Sequence, residues 1–298
     1  MNRYGQISIL REEGTFSVVE CCDALGVSRS GYHAWLRRPP SSREMENRKL
    51  AAAMHDIRAG GHEKAYGSPR MTGELRERGL QAGKNRVARL MRKEGIRAKA
   101  KRPFRPRTTI RDNAAADRIA PNRLAELGEI TAPGQALAGD ITYIPTREGW
   151  LYLAVVIDLF SRHVLGWSIS GNLATPVVTG ALRRALRRGH PLQTGAIFHS
   201  DRGCQYTSTD YAGELAGANL LPSMSAKGNC YDNATCESFF ATLKAEGFPD
   251  GCVFDSKAEA RLAIFDYIES FYNRRRKHSS LGYKSPDQYL QDYRNALN

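Results

Sequence analysis

Three acids carry the chemistry this sequence could perform. Asp140 sits in the β-type run GDITYI, and Asp201 in HSDRGCQY, just past a short apolar run. Glu237 falls in the first turns of a helical pattern, NCYDNATCESFFATLK. Carboxylate oxygens are hard ligands, and Mg²⁺ binds through few of them, leaving positions for water and phosphate. Three acids gathered without a cation repel, at about 4 kcal/mol per pair at 4 Å with an effective dielectric near 20. Two divalent ions about 3.5–4 Å apart relieve that repulsion and clamp both the attacking and the leaving oxygen of a phosphodiester. The 35 residues between Asp201 and Glu237 are a weak signal in so acid-rich a stretch. Three unrelated surface acids are the competing reading.

The elements that must position these acids follow from periodicity. Gln135–Pro145 predicts a strand around Asp140. Trp150–Phe160 is nearly all apolar, as for a strand buried on both faces. His163–Ser170 makes a third, with hairpin breaks at Arg147-Glu148-Gly149 and Ser161-Arg162. Ala196–Ser200 and Leu220–Met224 complete five strands. Helices are predicted over Thr175–Arg188, Thr209–Ala218, Asn233–Glu246, residues 257–277 and Pro286–Ala296. Arg183, Arg184, Arg187 and Arg188 would give the first of these a basic surface. This is an α/β pattern.

The N-terminal part is different in kind. Of the net charge of +13, residues 1–111 hold 25 Lys+Arg against 11 Asp+Glu; the remainder holds 19 against 20. Such asymmetry points to a polyanion, with nucleic acid the first candidate and a merely soluble basic surface the second. Residues 16–38 read as helix, Gly26 turn, helix, with Ser28 placed to cap the second. In a helix-turn-helix that second helix enters the major groove, which would bring Arg29, Ser30 and Tyr32 to DNA. A second helical pair follows, from Pro69 to Gly79 and from Lys84 to Lys93, the latter with Lys84, Arg86 and Arg89 on its charged face. The stretch 98–113, with Lys101, Arg102 and Arg105, cannot stay helical through Pro103 and Pro106 and reads as a basic linker tracking phosphate.

At 298 residues and 41% hydrophobic, the chain suits about two domains and excludes collagen, coiled coil and wholesale disorder. No apolar run nears the roughly 18 residues of a membrane span, and the N-terminus lacks a signal-peptide pattern. Six irregularly placed cysteines suit a reducing cytoplasm rather than a disulfide scaffold.

Five ordered motifs bring these readings together: GDITYI at 139–144, VVIDLFSRHVLGW at 155–167, HSDRGCQYTS at 199–208, SMSAKGNCYDNATCESFFATLK at 223–244 and YNRRRKHSSLGYKSP at 272–286. With them the chain resembles the second-reading-frame (OrfB-type) transposases of the bacterial insertion sequence 3 family, relatives of retroviral integrases, from about residue 20 to Tyr289. The resemblance implies a ribonuclease-H-like core over 130–250, with a mixed five-stranded sheet flanked by helices. Ahead of it come a helix-turn-helix over 1–42, a second helical DNA-binding unit over 43–97 and a basic linker over 98–129; a helical extension follows over 251–298. It also implies that Asp140, Asp201 and Glu237 are the catalytic, metal-holding triad, with two Mg²⁺ (or Mn²⁺) ions. Lys244 matches the family's basic residue seven positions after the Glu. Seven helical residues turn through about 700°, so both side chains share one face about 10.5 Å apart.

The implied partners are double-stranded DNA (terminal inverted repeats and target), further copies of the chain on DNA, and an upstream-frame protein or fusion, with no membrane. The implied setting is the bacterial cytoplasm, at the nucleoid. Ala138-Gly139 stand where the family has Trp and a polar residue, a change expected to loosen that strand. Several residues keep two readings: Asp158 as a fourth ligand or a structural acid, His199 as a DNA contact or a structural hydrogen bond, and Lys227 and Asn229 as a DNA grip or an ordinary loop. The roles of Arg276 and His278 do not follow from the sequence. A binding protein that no longer cuts, competing with an active transposase, and a ribonuclease on RNA–DNA hybrids are the alternative functions.

Overall fold

The computed structural model describes residues 3–14, 16–99, 119–225 and 233–297. It divides into two compact units, Met1–Ala52 and Ala53–Asn298. In the first, α1 (Arg3–Glu12), α2 (Val18–Ala24) and α3 (Arg29–Arg37) enclose Ile7, Cys21, Cys22 and Tyr32. Ser17 and Glu20 form a reciprocal capping box on α2, and Ser28 Oγ accepts from Gly31 N–H at 3.0 Å to start α3. The helix, glycine turn, helix punctuation is present as read. α4 (Ser42–Ala59) runs from one unit into the other.

In the second unit the sheet runs β3-β2-β1-β4-β5. β1 (Ala136–Thr146), β2 (Gly149–Asp158) and β3 (Val164–Ser170) form an antiparallel meander; β4 (Ile197–Ser200) and β5 (Leu221–Met224) add parallel to β1. This is the mixed five-stranded sheet flanked by helices that the resemblance implies. The two faces follow the period of two along each strand. Leu153, Val155 and Ile157 point into one core with Phe239, Leu243 and Ile268. Ala154 and Val156 point into the other with Val178, Ala181 and Leu182 of α8 (Thr175–Arg187) and Tyr211 of α9 (Thr209–Gly217). α8 lies so close to β3 that a Cβ on Gly166 would fall 2.2 Å from the Ala181 carbonyl oxygen.

From Ala53 on, the helical segment read over 43–97 lies in the same compact unit as the sheet. Tyr66 is buried in the sheet's own core, which is why α5 (Ser68–Glu77) and α6 (Lys84–Lys93) are fastened there. The helix read over 257–277 stays α-helical only as Lys257–Phe265; a π-helical stretch, Asp266–Tyr272, follows and turns Tyr267, Ile268, Phe271 and Tyr272 inward. Of the arginines expected to make α8 basic, all four are exposed; Arg183 pairs with Glu214, Arg188, just past its end, pairs with Glu269, and Arg184 donates to the Trp167 carbonyl. The short α7 (Arg123–Glu126) precedes the sheet, while α10 (Ala234–Glu246), α11 (the Lys257–Phe265 helix) and α12 (Pro286–Leu297) follow it. The five cysteines among the described residues are free thiols, and no described helix is long and apolar enough to cross a membrane.

Candidate active site and nucleic-acid interface

Strand register explains how two acids 61 positions apart become neighbours. β1 pairs in parallel with β4 up to Ala138 opposite His199. Two residues further along each strand direction stand Asp140 and Asp201, at the carboxyl end of β4 where the pairing has just ended. Asp140 Oδ1 accepts from the Ile141 N–H at 2.8 Å, and the buried Asn233 side chain hydrogen-bonds to the same carboxylate. Asp201 Oδ1 accepts from Gly203 N–H at 2.9 Å. Glu237 is exposed in the first turn of α10, and Lys244 is half-buried in its last.

The electrostatics of the cluster are those of crowded anions. Burial, then the neighbouring Asp201 and Glu237, push the Asp140 carboxyl well above the usual carboxylate range, against the bonds from Ile141 and Asn233. Burial raises Asp201 as well, against the Gly203 bond. Burial lowers Lys244 to about 8, with Asp140 pulling the other way. The donor set fits a hard divalent cation: carboxylates whose ionised forms are disfavoured until positive charge arrives. Among the described residues, however, no group of three or more acid, histidine or cysteine side chains is close enough to hold a metal ion. Glu237 is near enough to act on Asp140 electrostatically but does not close a three-ligand cage.

Gly139 does not loosen β1. A Cβ there would lie 2.5 Å from Phe198 Cζ, 2.9 Å from Cε1 and 3.4 Å from Tyr206 Cε1. The Phe198 ring fills the space that a larger residue would need, and Ala138 beside it is fully buried.

Asp158 is a structural acid. Fully buried, it accepts from Gly134 N–H at 2.9 Å, Ser161 N–H at 2.8 Å and Ser161 Oγ–H at 2.5 Å, which tie the β2–β3 turn to the chain before β1. His199 is buried between Ser223 Oγ at 2.9 Å and Ser225 Oγ at 3.0 Å, so it supports β4 and β5 from within. Tyr32 is also corrected: with 0% of its surface exposed, its ring lies in the core of the first unit and cannot reach a base edge.

Of the remaining DNA candidates, Arg29, Ser30, Lys84 and Arg89 are exposed on their helices and Arg86 is half-buried. Lys101, Arg102, Arg105, Lys227 and Asn229 lie outside the described residues. Sequence reasoning missed Asn233 and Arg162. Arg162, left-handed at φ 62°, donates from Nη1 to Thr235 Oγ1 and so reaches the first turn of the Glu237 helix. Arg276, whose role was open, is a buried partner of Glu246, and His278 closes a small turn in which its N–H donates to Lys284 O at 3.0 Å.

Comparison with known proteins agrees with this architecture. Residues 130–230 and 219–286 match two models of the integrase core domain, and 44–104 match an HTH-like domain. The transposase InsF for insertion sequence IS3A of Escherichia coli (strain K12) is 42% identical over 285 residues, covering 95% of this chain and 97% of that protein. The insertion element IS600 uncharacterized 31 kDa protein of Shigella sonnei is 41% identical over 274 residues, 91% of this chain and 98% of its own. Among solved structures, the HTLV-2 integrase catalytic core domain in complex with magnesium is 16% identical, with a TM-score of 0.39, over 54% of this chain and 99% of that one. Identity of that degree over nearly the whole chain, joined to the integrase core and the HTH-like domain, makes this protein a member of the insertion sequence 3 family of transposases.

Proposed function

We propose that the protein cuts and joins DNA at the ends of an insertion sequence, with Asp140, Asp201 and Glu237 holding two Mg²⁺ or Mn²⁺ ions. The observation that carries this reading is the juxtaposition of Asp140 and Asp201 at the end of β4, both carboxyls raised, with Glu237 acting on Asp140 from α10. When bound, the ions supply Lewis-acid activation of the attacking oxygen and neutralisation of the leaving one. The chain's own residues do the rest. Ile141, Asn233 and Gly203 hold the two aspartates in place, and Lys244 offers a cation to phosphate on the same helix as Glu237.

In the first reaction a water oxygen attacks phosphorus at the element end, the P–O3′ bond breaks, and the departing oxygen takes a proton to become a 3′-OH. In the second, that 3′-OH attacks another phosphodiester in line; its proton leaves, one P–O bond forms and one breaks. No protein–DNA covalent intermediate is needed. Joining of the two element ends into a circle before insertion follows from family membership, as does work by several copies on DNA, with or without an upstream-frame fusion.

The exposed Arg29 and Ser30 of α3, the Lys84, Arg86 and Arg89 face of α6, and the Lys101, Arg102, Arg105 and Lys227 positions are the proposed grip on terminal repeats and target. Alanine at Asp140, Asp201 or Glu237 should abolish Mg²⁺-dependent nicking of supercoiled plasmid while leaving binding to element ends. Nicking retained by Glu237→Ala would remove the assignment.

A further inference from the structure

We propose that Glu246 is a positioning residue, and that the seam it anchors holds α5–α6 and the Glu237 helix as one body gripping a single DNA duplex in fixed register. The inference rests on the active-site reading above and extends it to residues outside the cluster. Glu246 ends α10, nine residues after Glu237, which is about 13.5 Å along the helix. Its side chain, 5% exposed, accepts from Arg276 Nε at 2.6 Å and Nη2 at 2.9 Å, from Arg70 Nη1 at 3.0 Å and from Tyr267 Oη at 2.9 Å. Burial alone would raise this carboxyl, but the bonds and charge of Arg276, then Arg70, hold it below its ordinary value.

The partners come from three parts of the chain. Arg70 lies in the first turn of α5, Arg276 follows the π-helical stretch, and Tyr267 lies within it. The π-helical turn matters here, since it brings Tyr267, Phe271 and Tyr272 inward and leaves Arg276 facing the end of α10.

α5 is held at its other end too. Lys277 Nζ pairs with Glu77 and, at 4.0 Å, with Glu74, while Lys277 N–H donates at 3.1 Å to Tyr66 Oη, just ahead of the helix's first turn. Arg275 pairs with the buried Glu63, and Lys99 Nζ donates to Phe248 O at 3.1 Å, just past α10. A helix fixed at its first turn and at its last cannot pivot without stranding a buried charge. α6 packs on α5, with Met71 and Leu75 of one and Val87 and Leu90 of the other buried, and leaves Lys84, Arg89, Arg92 and Lys93 exposed. The basic face and the acids are therefore set at a constant spacing, so the phosphate presented for cutting is chosen by where α6 sits on the duplex.

The test uses the full chain, Mg²⁺ and an end-labelled duplex carrying the terminal repeat, comparing wild type with Arg70→Gln and Arg70→Lys. Arg70→Gln leaves the Glu246–Arg276 pair intact but releases the first turn of α5 from the end of α10, leaving only the hold at its last turn. End affinity should stay within about threefold, cleavage should fall ~10-fold or more, and cuts should spread to neighbouring phosphates, since misplacement of about 1 Å is worth up to ~100-fold. Arg70→Lys should restore a single cut site. A purely structural loss would lower the yield without moving the cut. If Arg70→Gln melts below the assay temperature, Lys99→Gln, half-buried at the edge of the same seam, takes the same readout. A folded variant that cuts only at the wild-type phosphate, within threefold of the wild-type rate, overturns the proposal while wild-type cleavage stands. A wild-type protein that cuts no better than Asp140→Ala would instead sink the active-site reading on which it rests.

Discussion

Gly139 offers the most direct test of how the sheet supports its acid. A methyl group there would sit 2.5 Å from Phe198 Cζ and 2.9 Å from Cε1, well inside van der Waals contact. The ring cannot simply swing aside: Phe198 is 1% exposed and packs edge-on against Tyr211 at 5.6 Å. Overpacking of this kind costs about 1–3 kcal/mol, so Gly139→Ala should destabilise by that amount. Because the next residue is Asp140, cleavage should fall further than the loss of folded protein explains.

Shortening the ring partner relieves the clash. Phe198→Leu alone leaves a cavity and costs roughly 1 kcal/mol or more, but the double variant should be more stable than the two losses predict, by about 1 kcal/mol. Urea unfolding of the four proteins followed by tryptophan fluorescence closes the cycle. Losses that add within about 0.5 kcal/mol would refute the claim that Phe198 occupies the missing side chain's place.

Three further outcomes follow from the site and its surroundings. Burial holds His190 below its ordinary 6.5, so the unfolded chain takes that proton first as pH falls. Stability should therefore decline from about pH 6.5 down to the folded-state pKa and be unaffected above; Tm measured from pH 8 to 5 should show a shallower fall for His190→Gln, and identical slopes would count against it. Asp158→Asn should lose about 1–3 kcal/mol because its three donors face a poorer acceptor, yet the folded fraction should cut with unchanged metal dependence; loss of metal dependence would revive Asp158 as a ligand. If Lys84 and Arg89 neutralise phosphates, the log–log salt slope of end binding should drop by about 0.9 for each alanine, and an unchanged slope would take α6 out of the interface.

Much of the fold was legible from local pattern. The five strands end within a residue or two of their predicted bounds because alternation, β-branched runs and the hairpin breaks at 147–149 and 161–162 are local signals. Ser28 as a cap was readable for the same reason. α1 and most of α4 were not, since their mixed charged faces carry no sharp apolar stripe. The π-helical stretch after Phe265 was hidden because its residues are as apolar as those of an α-helix; the wider turn goes with the burial of Tyr267, Ile268, Phe271 and Tyr272 in the core.

The site divides in the same way. Residue types and order were sufficient to single out Asp140, Asp201 and Glu237, since chain order and hard-ligand chemistry do not depend on packing. Whether an acid is a ligand or a strut depends on what lies across space from it. Asp158 and Glu246 look like any other acids in the chain, but one accepts three bonds inside a turn and the other gathers Arg70, Arg276 and Tyr267. Gly139 looked like a loss until Phe198 was found in its place. The basic N-terminal charge was visible by counting, but its division was not. Tertiary structure alone put Tyr32 in a core and joined α5 and α6 to the sheet's own unit, because a buried charge must find its partners wherever the chain brings them.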